Sequence, residues 1–174
     1  MTFFTADTHL GHGNIIKYCD RPFKSLDKMN STIINNWNSR VKQTDTVIVN
    51  GDFCFKNTSN RGEGINKHWF WWADQLNGNK VFIEGNHDKH NGKFTHIKSL
   101  VLNLNKRDIF ITHRPSDILL GYDLYLTGHV HNNWKHKIIT DERKHILINI
   151  GVDVWNFMPV KLDEILHYIR KNID

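Results

Sequence analysis

Apolar residues recur along this chain in short runs, each followed by a polar or turn-forming residue: 2–6, 46–50, 80–84, 108–112, 122–127 and 145–150. Runs of this length, rich in Val, Ile and Phe, predict β-strands. Between the first two the spacing changes. Leu26, Met29, Ile33, Ile34, Trp37 and Val41 recur at three and four, which places them on one face of an amphipathic helix. A second stripe of Ile65, Trp69, Trp72 and Leu76 predicts a helix over about 64–76. A third helix is predicted over about 162–171, with Pro159 just ahead of its start.

Strands alternate with helices in the first half and follow one another closely in the second, which predicts a layered α/β sandwich with helices covering its sheets. A length of 174 residues fits a single domain over 1–174. The polar stretch 56–63 reads as a loop within that domain, placed to border a substrate cleft.

Composition narrows the class. With 39% apolar and 24% charged residues the chain is globular rather than disordered. No stretch approaches the roughly 18–20 apolar residues needed to span a bilayer, and Met1 runs into Thr2 and Phe3 without the basic and apolar regions of a signal peptide. A cytoplasmic protein with no membrane partner is the expectation. Cys19 and Cys54 form neither a CxxC motif nor a disulfide framework, so reduced thiols are expected. A net charge of +5 favours anionic ligands such as nucleotides or nucleic acid, though a modest excess is a weak signal by itself. The unusual count is twelve histidines, because imidazole is the commonest metal ligand.

Their placement carries the chemistry. Asp7-Thr8-His9 follows the first run, Gly51-Asp52 the second, and Gly85-Asn86-His87-Asp88 the third. His113 follows the fourth run and Gly128-His129-Val130-His131 the fifth. Strand ends would bring all five clusters to one edge of the sandwich. In extended chain Asp7 and His9 share a side, and a glycine before Asp52 permits a tight turn. Each cluster alone is weak, since a lone DxH or Gly-Asp is more often chance or a plain turn.

Taken together and in this order, the clusters resemble the calcineurin-like metallophosphoesterase family, whose pattern is DxH, GD, GNH(D/E), H and GHxH. The resemblance covers residues 4–131 with every motif position filled. The later stretch 149–155 is similar to small bacterial and phage members. The resemblance implies an αββα sandwich of two mixed sheets flanked by helices. It also implies that Asp7, His9 and His131 hold one metal, that Asn86, His113 and His129 hold another, and that Asp52 bridges them. Two divalent cations about 3.5–4 Å apart need a bridging anion, and the mixed nitrogen and oxygen donors suit Mn first, or Fe, Zn, Ni or Co, rather than Ca. A hydroxide shared by the metals would then attack phosphorus. His87, not a ligand, is expected to protonate the leaving oxygen, a role worth roughly 10²–10⁴-fold, with Asp88 orienting its ring.

Other residues have two readings. For Asp88 the alternative is a cap on the turn after Asn86; His12 reads either as a contact to substrate phosphate or as a polar residue ahead of a short helix, and Arg114 either as a phosphate clamp or as half of a surface ion pair. Trp69 and Trp72 read as core, leaving Trp71 pointing elsewhere, with a base-stacking platform the less favoured reading. His68, His90, His96, His136, His145 and His167 fall in no motif and read as surface or packing residues, as Cys54 reads as a small buried hydrophobe.

For the substrate, Gly51-Asp52-Phe53-Cys54-Phe55-Lys56-Asn57 departs from the GDxVDRG of protein phosphatases, and the third motif ends in Asp88 rather than Glu. A small phosphodiester or nucleotide is therefore the leading substrate. A phosphomonoesterase, a catalytically inactive metal-binding scaffold and a basic nucleic-acid-binding protein are the alternatives. Metal identity and oligomeric state are not specified by the sequence.

Overall fold

The structure, a computed structural model, describes residues 1–55, 67–88 and 97–173. Its elements in chain order are β1 (Thr2–Thr5), α1 (Ile15–Tyr18), α2 (Leu26–Arg40), β2 (Thr46–Asn50), α3 (Trp69–Ala73) and β3 (Asn79–Ile83). There follow β4 (Ser99–Leu104), β5 (Arg107–Thr112), β6 (Leu124–Thr127), β7 (His136–Thr140), β8 (Lys144–Asn149), β9 (Val160–Lys161) and α4 (Leu162–Asn172). The strands build two sheets, in the orders β3-β2-β1-β9 and β4-β5-β6-β8-β7. Both are mixed: β1, β2 and β3 run parallel with β9 antiparallel, and β5, β6 and β8 run parallel between antiparallel β4 and β7.

The pleat distributes the apolar residues between two cores. On β1 and β2, Phe4 and Ile48 face the second sheet and meet Ile109, Ile111, Leu124, Leu126 and Ile148. Their neighbours Phe3, Val47 and Val49 face the other way, onto Met29, Ile33 and Trp37 of α2. This explains why the central strands read as continuous apolar runs, since both of their faces are buried. α2 begins at Ser25, whose side chain accepts from Lys28 N at 3.2 Å, with Asp27 in its first turn. The amphipathic α4 starts where the Glu164 carboxylate accepts from Lys161 N at 2.8 Å, and it buries Leu162, Ile165 and Ile169 against the inter-sheet core.

The six predicted strands form within one or two residues of their expected bounds. β4, β7 and β9 were not expected. β4 and β5 make a hairpin whose two central residues, Asn105 and Lys106, both have left-handed φ (52° and 62°), the pattern of a type I′ turn without glycine. β7 is an edge strand, and β9 has two residues, too short for any periodicity. The helix expected over about 64–76 is described only from Trp69 to Ala73; residues 64–66 lie outside the described residues, as do the 56–63 stretch, His90 and His96. Trp72 is buried and Trp71 is 39% exposed, as their positions on that helix imply. No helix among the described residues is long and apolar enough to cross a membrane.

Candidate metal centre

Parallel strands point their carboxyl ends the same way, so the loops after β1, β2, β3, β5 and β6 meet at one edge of the sandwich. The first two loops continue as a pair: Asp7 N donates to Gly51 O, His9 N to Asp52 O and Leu10 N to Phe53 O. Asp7, His9 and His131 come together, as do Asp52, His113 and His129, with donor atoms inside each group within 4.8 Å of one another. Asp52 lies between the groups, its Oδ2 3.6 Å from His9 Nε2 and 3.4 Å from His113 Nε2. Asn86 Oδ1 is 3.3 Å from His113 Nε2. All seven residues that the motifs single out as ligands thus share one site.

The backbone there is unusual. Asp7 (φ 56°), His9 (49°), Asp52 (52°), His129 (70°) and His131 (49°) are all left-handed. Such a conformation costs a non-glycine residue of order 1–3 kcal/mol and persists where surrounding structure imposes it. Gly51 (φ 81°) precedes Asp52, and a Cβ there would collide with the His113 ring; one at Gly85 would collide with the Asp52 carboxylate. Both glycines therefore let the loops close around these side chains.

Outer contacts aim the imidazoles. His113 Nδ1 donates to Asn50 O at 2.8 Å, and Asn50 Nδ2 in turn donates to Thr112 O and Leu126 O. His131 Nδ1 is 3.0 Å from Asp153 Oδ2, and His9 Nδ1 is 3.3 Å from His12 Nδ1. For His9 and His113 this leaves Nε2 turned to Asp52, the arrangement metal-binding histidines adopt. The Asp7 carboxylate accepts from His129 N, and His87 N donates to Asp52 Oδ1 at 2.8 Å, which leaves Asp52 Oδ2 facing the rings.

The charge balance is that of a cation site. Burial pushes the Asp7 carboxyl up to about 6 despite nearby His113 and His131. Asp52 lies well below the usual carboxylate range: burial opposes ionisation, but the hydrogen bond and charge of His113 outweigh it. Burial likewise opposes charge on His113 and His131, yet Asp52 and Asp7 hold His113 up at about 9, and Asp153 with Cys19 holds His131 up at about 10. His9, pushed down by burial, has a fully buried Nε2 with no hydrogen-bond partner among the described residues. An orphaned imidazole nitrogen beside two buried carboxylates fits a divalent cation.

Some expectations change. Asp88 does not orient His87: its carboxylate accepts from Gly85 N (2.8 Å), Asp52 N (2.9 Å) and Phe53 N (3.1 Å), and no hydrogen bond joins it to the His87 ring among the described residues. Asp88 instead ties the β3 loop to the β2 loop, close to the turn-stabilising alternative. His87 is half-buried, its ring edge-on to His9 at 5.3 Å. His12 precedes the short helix α1, the second of its two expected readings, and its ring sits behind His9 and stacks on Phe55 at 4.4 Å. Burial lowers it to about 4, so it lies there neutral. Arg114 is exposed, without an ion pair among the described residues, and with Lys98, Glu84 and Asp117 lines a cleft of about 210 Å³ beside Asn86 and His113. His145 is a packing residue, bonded to Tyr122 O and Asp141, and His136 meets Tyr168 Oη.

The motifs did not reveal Arg21, Asn50, Asn149 or Asp153. Asn149 Nδ2 donates to His131 O and Trp134 O, and so fixes the loop that carries His129 and His131. The only sequence signal for Asn149 and Asp153 was their place in the family-like stretch 149–155.

Residues 2–117 match the calcineurin-like phosphoesterase family. An uncharacterized protein of Methanocaldococcus jannaschii is 38% identical over 174 residues, covering 97% of this chain and 91% of that protein. The gene 66 protein of Mycobacterium phage L5 is 31% identical over 87 residues, 50% of this chain and 39% of its own length. The crystal structure of a protein of unknown function from Aquifex aeolicus shares the fold, with a TM-score of 0.71 at 23% identity, covering 97% of this chain and 99% of that one. His129 and His131 lie beyond the matched residues, and the fold brings them to the same edge as the motifs within them. By the match over most of its length and by its relative of nearly equal extent, the chain belongs to the calcineurin-like phosphoesterase family.

Proposed function

We propose that the chain is a dinuclear metal-dependent phosphoesterase acting on phosphodiesters or nucleotides. The observation that carries this reading is the position of the Asp52 carboxylate between two groups of ligands. Two divalent transition-metal ions, Mn foremost, would supply Lewis-acid activation of water and neutralise the phosphoryl oxygens. Asp7, His9 and His131 would hold one, and Asn86, His113 and His129 the other, with Asp52 shared between them.

The chain's own groups supply the rest. His87 lies against His9 without belonging to either ligand group, where its ring can pass a proton to the leaving oxygen. Stacked His12 and Phe55 form an aromatic wall beside it. In the cleft beside Asn86 and His113, which Glu84 and Asp117 also line, Arg114 and Lys98 would meet a further charged group of the substrate. A nucleotide, which carries such a group, fits this better than a small neutral-armed ester.

The test is turnover of bis-p-nitrophenyl phosphate and p-nitrophenyl phosphate by protein stripped of metal and reloaded with Mn²⁺, alongside His87→Ala and Asp52→Asn. The expected result is metal-dependent diester cleavage lost in both variants. A monoester preference would make the protein a phosphatase, and metal binding without turnover of either ester would make it a scaffold.

A further inference from the structure

We infer that Asp153, clamped by Arg21, is a positioning residue for the Asp7, His9 and His131 metal position, and that this one buried ion pair sets two ligands, Asp7 and His131, that lie far apart in the chain. The inference rests on the proposed metal centre and adds to it a device that no sequence motif marks.

Arg21 lies between α1 and α2 with its side chain fully buried. Its guanidinium engages Asp153 through two contacts, Nε to Oδ1 at 2.7 Å and Nη2 to Oδ2 at 3.0 Å, across 132 residues of sequence. This two-point fork fixes the carboxylate plane as a single contact cannot. Asp153 Oδ2 also accepts from His131 Nδ1 at 3.0 Å, so the ring of His131 takes its orientation from a carboxylate that is itself held. The other donors of Arg21 reach Asp7 O at 2.7 Å and Thr8 O at 3.1 Å. Those carbonyls belong to the left-handed turn that presents Asp7 and His9.

Stability alone does not account for such a pair. A buried ion pair rarely outperforms apolar side chains of similar size, because desolvation offsets the attraction. What apolar replacements could not do is hold the Asp7 turn and the His131 ring in one frame. A carboxylate behind a ligating imidazole fixes its tautomer and raises its basicity, and losing it typically weakens metal binding about 10- to 100-fold. The His113 ring, by contrast, is held by the neutral carbonyl of Asn50. The effect of Asp153 is therefore confined to one metal position.

The experiment titrates metal-free full-length protein with Co²⁺, read by absorbance and metal analysis, in wild type, Asp153→Asn and the double variant Arg21→Met with Asp153→Leu. Wild type should bind two equivalents. In both variants one equivalent should weaken about 10- to 100-fold while the other stays at wild-type affinity. The double variant removes both charges of the Arg21–Asp153 pair together, so its metal-free melting temperature should exceed that of Asp153→Asn without recovery of the weakened equivalent, a pattern that loss of stability alone does not give. Wild-type affinity at both positions, or equal weakening of both, overturns the inference. If neither variant folds, nitrogen-15 spectra of Zn²⁺-loaded wild type decide: the His131 proton on Nδ1 is expected, and a proton on Nε2 overturns the inference. Wild type that binds no metal would instead remove the proposed function.

Discussion

The two halves of the centre are built differently. Around Asp7, His9 and His131 the outer layer is buried and includes charged side chains, with Arg21 and Asp153 behind Asp7 and His131 and the ring of His12 behind His9. Around Asn86, His113 and His129 it is backbone, with Asn50 O behind His113, and this half opens onto the cleft lined by Lys98 and Arg114. One half is anchored by side chains far apart in sequence, and the other is set by strand ends and faces the side from which substrate would come. Rigid support and access are divided between them, with Asp52 common to both.

Substituting the shared carboxylate is the most severe way to break this division. Asp52→Asn should reduce Mn²⁺-dependent diester turnover to background and cut the bound metal below two equivalents, as metal analysis after gel filtration would show. His87→Ala should separate chemistry from binding: kcat falls roughly 10²–10⁴-fold with metal content unchanged. Metal lost along with activity would show that His87 supports a ligand instead.

Acidity sharpens the comparison next. Without metal, His113 near 9 and His131 near 10 hold protons at pH 7, and Asp7 near 6 takes one up as pH falls through that value. A protonated ligand cannot bind, so raising pH strengthens metal affinity, by roughly tenfold per pH unit for each proton displaced. Calorimetry in buffers of different ionisation enthalpy should show proton release on Mn²⁺ loading at pH 7. Loading with no proton release at that pH would contradict the charge balance described for the site.

Smaller effects come from the edges. Asp88→Ala leaves three amides of the β2 and β3 loops without their acceptor and should cost about 3 kcal/mol in urea unfolding of the metal-free protein. Arg114→Ala, on the open side, should raise KM for a nucleotide substrate by up to tenfold with little change in kcat or stability. An equal loss in kcat would place Arg114 at the reacting phosphate.

Asp88 and His12 show where sequence reasoning reached its limit. Their residue types and nearness to the motifs were readable, but the partners that define them, loop amides in one case and the back of His9 in the other, are set by how the loops close. β4 escaped notice because its hairpin turns on Asn105 and Lys106, without the glycine that usually signals such a turn. The edge strand β7 is mostly exposed, so burial imposed no continuous apolar run on it.

What the sequence by itself determined is the set of central strands, the long helices and the order of the ligand-bearing loops. These follow from periodicity and local chemistry, and strand ends repeat wherever an apolar run stops. The tertiary structure alone decided that Asp52 stands between two clusters, that Asp88 is a brace and that Arg21 joins Asp7 to His131 through Asp153. Those contacts span tens to more than a hundred residues, and such distances carry no periodic signal along the chain.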